Sequence, residues 1–116
     1  MAKHKILIVD DEKISHFLSR VVGNYHNTIH VILYSVIPTK KDVDQEEAAN
    51  TFVEVVQMSL RQSDVITRYG SNHVMILLLK VVSSDLEIVT EKIAMNWESK
   101  DISALCKITY ETSELK

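Results

Sequence analysis

The sequence predicts an α+β domain whose main part, from residue 29, runs strand, helix, strand, strand, helix, strand, with a short strand and helix ahead of it. Three observations carry this expectation. Apolar, β-branched runs recur at 5–9, 29–37, 65–69, 74–79 and 105–109. Two segments between them, 42–62 and 84–98, space their apolar residues at helical intervals. A Gly-Ser-Asn turn at 70–72 joins two of the runs as a β-hairpin.

Residues 5–9, KILIV, are apolar at every position after the lysine and stop at Asp10-Asp11, which reads as a buried strand. A helix is expected from about residue 12 to 22, with Ile14, Phe17, Leu18, Val21 and Val22 on one face. Asp11 suits its N-cap, and Gly23 suits the left-handed residue that ends it. Residues 29–37, IHVILYSVI, form the next strand, closed by Pro38, which has no amide to give to a ladder.

Residues 42–62 are the clearest helix. Ala48, Ala49, Phe52, Val55, Val56, Ser59 and Leu60 fall on one face, and Glu46, Glu47, Asn50, Glu54, Gln57 and Arg61 mostly on the other. Asp42 or Asp44 suits the positive end of the helix dipole and Arg61 the negative end. In the hairpin that follows, Val74 to Leu79 are all apolar, as in a strand covered on both faces and central to its sheet.

Ser84-Asp85-Leu86-Glu87 spells a capping box, and Leu86, Val89, Ile93, Ala94 and Trp97 continue as a helical stripe to about residue 98. Trp97 reads as core packing. The last strand is expected at 105–109 or a little beyond, with the polar tail ETSELK fraying. From residue 29 this order is the ferredoxin-like plan, and right-handed crossovers place both long helices on one face of the sheet.

At 116 residues the chain is expected to be one domain, with residues 1–28 as an N-terminal βα unit and 29–116 as the core. Its 46% hydrophobic and 25% charged residues are those of an ordinary soluble protein. A net charge of −3 with no basic block argues against nucleic acid as a partner. No apolar run approaches the roughly 20 residues that span a bilayer, and the start meets an acidic pair too soon for a secretory signal, so a cytoplasmic location is expected. The single cysteine, Cys106, excludes an intrachain disulfide and a thiolate metal cage. The five histidines are scattered, without a metal-binding motif.

One stretch carries a more specific signal. R-Y-G-S-N-H-V at 68–74, preceded by R-x-x-D at 61–64, resembles the R-Y-G-G-D-E-F hairpin of diguanylate cyclase (GGDEF) domains with the family's R-x-x-D inhibitory motif at its usual offset. Residue by residue, Gly70 matches the first glycine, while Ser71 stands at the second glycine, Asn72 at the metal-binding carboxylate, His73 at the glutamate and Val74 at the phenylalanine. The first strand of the family ends in an aspartate that binds metal, and aligning 29–37 with it puts Ser35 at that position. Ser35, Gly70, Ser71, Asn72 and His73 are thus the degenerate former active-site positions. A divalent ion wants charged oxygens, and a serine hydroxyl with an asparagine amide supplies no negative charge.

The resemblance covers about residues 29–110. It implies a catalytically inactive domain acting in bacterial signal transduction, without cofactor or metal, as a cyclic di-GMP-binding or protein-interaction module. An enzyme of altered nucleotide chemistry, in which His73 would matter as a base, is the alternative. The resemblance assigns ligand binding to Arg61, whose forked donors suit a guanine edge and a phosphate, and to Asp64, which would accept from guanine N–H groups. The plain structural alternative is an arginine that closes a helix and an aspartate that starts a strand.

The opening KILIVDDE is also similar to the start of response-regulator receiver domains, where the acidic pair holds magnesium. The alternative for Asp10 and Asp11 is to stop a strand and cap a helix. A receiver also needs an acceptor aspartate at the end of its third strand, where this chain offers Tyr34 and Ser35. The family's further helix and strand beyond the last strand are not found, so the N-terminal βα unit is expected to cover sheet surface, or its strand to pair with the sheet edge of a second copy as a homodimer.

Overall fold

The computed structural model describes residues 6–9, 29–60, 64–79 and 85–115. The expected helix at 12–22, Asp10, Asp11, Arg61 and Ser84 lie outside the described residues.

Among the described residues five strands form one sheet: β1 (Ile6–Val9), β2 (Ile29–Pro38), β3 (Val65–Tyr69), β4 (His73–Leu78) and β5 (Cys106–Leu115), in the order β1-β3-β4-β2-β5. Helix α1 (Gln45–Ser59) connects β2 to β3, and α2 (Leu86–Glu98) with a 3-10 turn (Asp101–Leu105) connects β4 to β5. The pairings β3–β4, β4–β2 and β2–β5 are all antiparallel, which is the ferredoxin-like arrangement. β1 adds to β3 in parallel, with Ile6 opposite Ile66 and Val9 opposite Tyr69. It therefore extends the sheet sideways at the β3 edge, and the helix of the βα unit expected to cover sheet surface lies outside the described residues.

Both helices lie on one face, as expected. Along β2 the side chains alternate, and Ile32, Tyr34 and Val36 join Phe52, Val55 and Val56 of α1 and Ile93 and Trp97 of α2 in a single core. Phe52 is fully buried, tilted against Tyr34 at 4.9 Å between ring centroids and edge-on to Trp97 at 5.4 Å. Ile29, Val31, Met75 and Leu77 project from the other face and are buried too. The unbroken apolar run of β4 thus marks a central strand with both faces covered, Val74 to Leu78 being buried throughout.

Two expectations need correction, and a third is untested. Helix α1 is shorter than 42–62, because Asp44 caps it, its Oδ1 accepting from the backbone N–H of Glu46 at 2.9 Å and of Glu47 at 3.5 Å, and because Leu60 is already extended. The described part of α2 starts at Asp85, which makes no side-chain capping bond, and the expected capping box on Ser84 lies outside the described residues. The tail does not fray: β5 continues to Leu115, in register with β2 as far as Ile29. Ladder bonds are made by backbone groups, and the long edge of β2 offers partners to a segment whose side chains are polar.

Candidate functional site

The hairpin turn sits at one end of the sheet. Gly70 has φ 64°, the left-handed conformation that costs glycine least, and residues 70–72 turn the chain from β3 into β4. Across the β2–β4 pairing Ser35 stands opposite His73, and the Val36 N–H donates to the Asn72 carbonyl at 2.8 Å. Residues far apart in the chain are thus gathered: Ser35, Asn72 and His73 are half-buried, and Gly70 and Ser71 are exposed at the tip. Gln45 fastens the start of α1 to the same corner, its Nε2 donating to the Val36 carbonyl at 3.1 Å.

These five positions offer two hydroxyls, an amide and an imidazole, with no carboxylate. A magnesium ion, as held by the intact motif that this hairpin resembles, does not fit this donor set, because nothing in it offsets a double positive charge. Among the described residues no three His, Cys, Asp or Glu side chains come together in a way that could hold a metal ion.

Sequence reasoning missed the role of Arg68, the arginine of R-Y-G. It lies in β3, 7% exposed, and reaches across to α1, where Nη1 donates to Asn50 Oδ1 at 2.7 Å and Nη2 to both Glu46 carboxylate oxygens at 3.2 and 3.3 Å. Its Nε is buried with no partner among the described residues. Glu46 and Asn50 had been assigned to the outer face of the helix. The available signal was the arginine inside a β-rich run, since a buried guanidinium requires acceptors.

Asp64, one of the two predicted ligand residues, is 3% exposed just before β3, and its Oδ1 accepts from the Leu79 N–H at 3.4 Å. It borders a cleft of about 260 Å³ that Ser59, Asp85, Ile88 and Lys92 also line. Lys92 is a cation at this cleft that sequence reasoning did not find, and an outward-facing helical lysine gives no signal for it. Nearby, Asn96 of α2 donates to the Ser59 hydroxyl at 2.8 Å, and that hydroxyl donates to the Val55 carbonyl at 2.8 Å. This buried polar tie joins the two helices where they flank the cleft.

A larger cleft of about 340 Å³ lies between α2 and β5, lined by Tyr34, Phe52, Trp97, Cys106 and Tyr110 among others, and by none of the predicted site residues. Tyr34 is 2% exposed, and its hydroxyl has no partner among the described residues. Burial, and secondarily the Tyr110 phenol, pushes its pKa well above the usual tyrosine range. Burial also raises the Cys106 thiol, which leaves it less nucleophilic than a free thiol.

The sheet order and the two helices on one face define a ferredoxin-like α+β domain, with a tight hairpin turn at the end where β2 and β4 meet. Solved structures with this fold include a DGC protein from Thermotoga maritima, with 17% identity, covering 92% of this chain and 79% of that one, at a TM-score of 0.64. The GGDEF domain of YfiN (TpbB) from Pseudomonas aeruginosa matches in two structures. One has 14% identity and a TM-score of 0.67, covering 92% of this chain and 71% of that one. The other has 16% identity and a TM-score of 0.65, covering 91% of this chain and 75% of that one. The chain has the fold of GGDEF domains. No protein-family model matches it, and no curated protein does. No helix among the described residues is long and apolar enough to cross a membrane.

Proposed function

We propose that this chain is a catalytically inactive GGDEF domain that acts in bacterial signal transduction as a cyclic di-GMP-binding or protein-interaction module. The observation that carries this reading is the pairing of Ser35 with His73 beside the Asn72 carbonyl. It keeps the frame of a cyclase hairpin and fills it with groups that cannot hold magnesium on GTP phosphates. The likeness of fold to the DGC protein and the YfiN GGDEF domain supports the cyclase-like part.

In the binding form, cyclic di-GMP sits on Arg61 and Asp64. Asp64 is nearly buried, already accepts from Leu79, and borders the cleft that Lys92 shares, along which a ligand would meet it. In the other form the same domain face docks a signalling protein. Purified protein is incubated with GTP and magnesium or manganese, then titrated calorimetrically with cyclic di-GMP. We expect no cyclic di-GMP above a heat-killed control, and turnover clearly above it would refute inactivity. Heat at micromolar ligand that Arg61→Ala abolishes supports the nucleotide form, whereas no heat leaves the protein-partner form.

A further inference from the structure

We infer that β5 is a self-association edge, through which two copies of this chain pair antiparallel about Thr109 into one continuous sheet. The inference stands independently of whether cyclic di-GMP binds. β5 is the last strand of the sheet, ten residues long, and among the described residues only β2 pairs with it. At the other end of the sheet, β1 is four residues long. A long open strand presents a row of unpaired amides and carbonyls to any chain that matches it.

The ladder identifies which groups are open. Thr39 donates to the Leu105 carbonyl at 2.8 Å, immediately beyond the pair Pro38–Cys106. Bonding alternates along an antiparallel pair, so Lys107, Thr109, Glu111 and Ser113 bond inward to β2. The backbone groups of Ile108, Tyr110 and Thr112 point away from the sheet. Tyr110 is 52% exposed, Lys107, Thr109 and Glu111 are exposed as well, and Ile108 is half-buried.

Side chains then select one register. With the two-fold axis at Thr109, each Lys107 lies opposite Glu111 of the other copy, Ile108 lies opposite Tyr110, and Thr109 meets itself. Opposite charges, an aromatic with a β-branched residue, and threonine with threonine are the pairs that stabilise a sheet. An axis at Glu111 sets two glutamates together, and an axis at Tyr110 leaves both charges without an opposite partner. Lys107 and Glu111 therefore guard against the wrong registers and favour this one. A symmetric pair also closes on itself and leaves no new β5 edge open.

Sedimentation equilibrium over a tenfold dilution tests the pairing. The expected mass at the concentrated end is twice the 13.2 kDa of one chain. Lys107→Glu and Glu111→Lys, each of which sets like charges opposite twice, should each weaken the dimer about tenfold or more. Both changes together should restore it, a rescue that general destabilisation would not give. A constant single-chain mass, or a double variant no tighter than the singles, overturns the inference. The register has its own readout in a Cys106→Ser background. The Thr109 pair does not exchange ladder bonds, so its Cα atoms should lie about 4.5 Å apart, within disulfide reach. Thr109→Cys should cross-link on oxidation and Glu111→Cys should not, and equal cross-linking of both would overturn the axis at Thr109.

Discussion

Ser35 and His73 stand opposite each other where β2 meets β4, and the next residue, Val36, bonds to the Asn72 carbonyl at 2.8 Å. That geometry sets hydroxyl, amide and imidazole groups at the corner where the resemblance places two metal-binding carboxylates. Restoring the charge should restore the ion. Ser35→Asp with Asn72→Asp is expected to give measurable heat on calorimetric titration with manganese, and the parent chain none. If the double variant folds by circular dichroism and stays silent, the corner does not have the geometry we assign to it.

Arg68 ties β3 to α1 through two acceptors of unequal worth. Asn50 receives the shorter bond, 2.7 Å, whereas the Glu46 side chain is 63% exposed and its charge is screened by water. Asn50→Ala is therefore expected to cost about 1.5–3 kcal/mol, the range for a hydrogen bond to a charged group. Glu46→Ala should cost less than about 1 kcal/mol. Urea denaturation of both variants checks the order, and a larger loss for Glu46→Ala contradicts it.

Tyr34 buries a hydroxyl that has no partner among the described residues. Deleting it as Tyr34→Phe removes a desolvated group at almost constant volume, so stability at neutral pH should hold or rise. The alkaline limb carries the sign. A phenol whose pKa is raised on folding contributes fully below the unfolded value, near 10, and this contribution falls away as pH rises above it. Stability should fall by up to about 1.4 kcal/mol per pH unit there, and Tyr34→Phe should flatten the slope. Denaturation curves at successive alkaline pH values read this directly.

Asp64 serves the backbone whether or not it also serves a ligand. Asp64→Ala leaves the half-buried Leu79 N–H without this acceptor and is expected to cost about 1–3 kcal/mol. Asp64→Asn keeps an acceptor oxygen and drops the charge, so it should stay close to the parent in thermal melting. It is therefore the variant in which loss of cyclic di-GMP binding can be attributed to the carboxylate. A melting temperature for Asp64→Asn as low as that of Asp64→Ala would show that the charge itself holds the strand ends together.

Much of this was legible in the chain because it depends on periodicity. Phe52, Val55, Val56, Ile93 and Trp97 recur at helical steps, and their burial follows from the face they share. The apolar run of β4 implied a strand covered on both sides, and Gly70 marked the turn. The tail was misread because Glu111, Thr112, Ser113 and Glu114 carry no apolar signal. Their strand exists because β2 has an edge to offer, and that edge is known only once the sheet is assembled.

By itself the sequence determined the kind and order of the described elements, the core faces of both helices, and that Ser35 and Asn72 carry no carboxylate, all of which reside in local pattern and side-chain chemistry. Only the tertiary structure decided that β1 lies beside β3, that Arg68 finds Asn50 and Glu46, that Asp64 accepts from Leu79, and that among the described residues β5 is the end strand beside β2. These are pairings between residues remote in the chain. Each satisfies a backbone or charged group whose partner is chosen by what the assembled sheet brings within reach, and a linear pattern carries no distances.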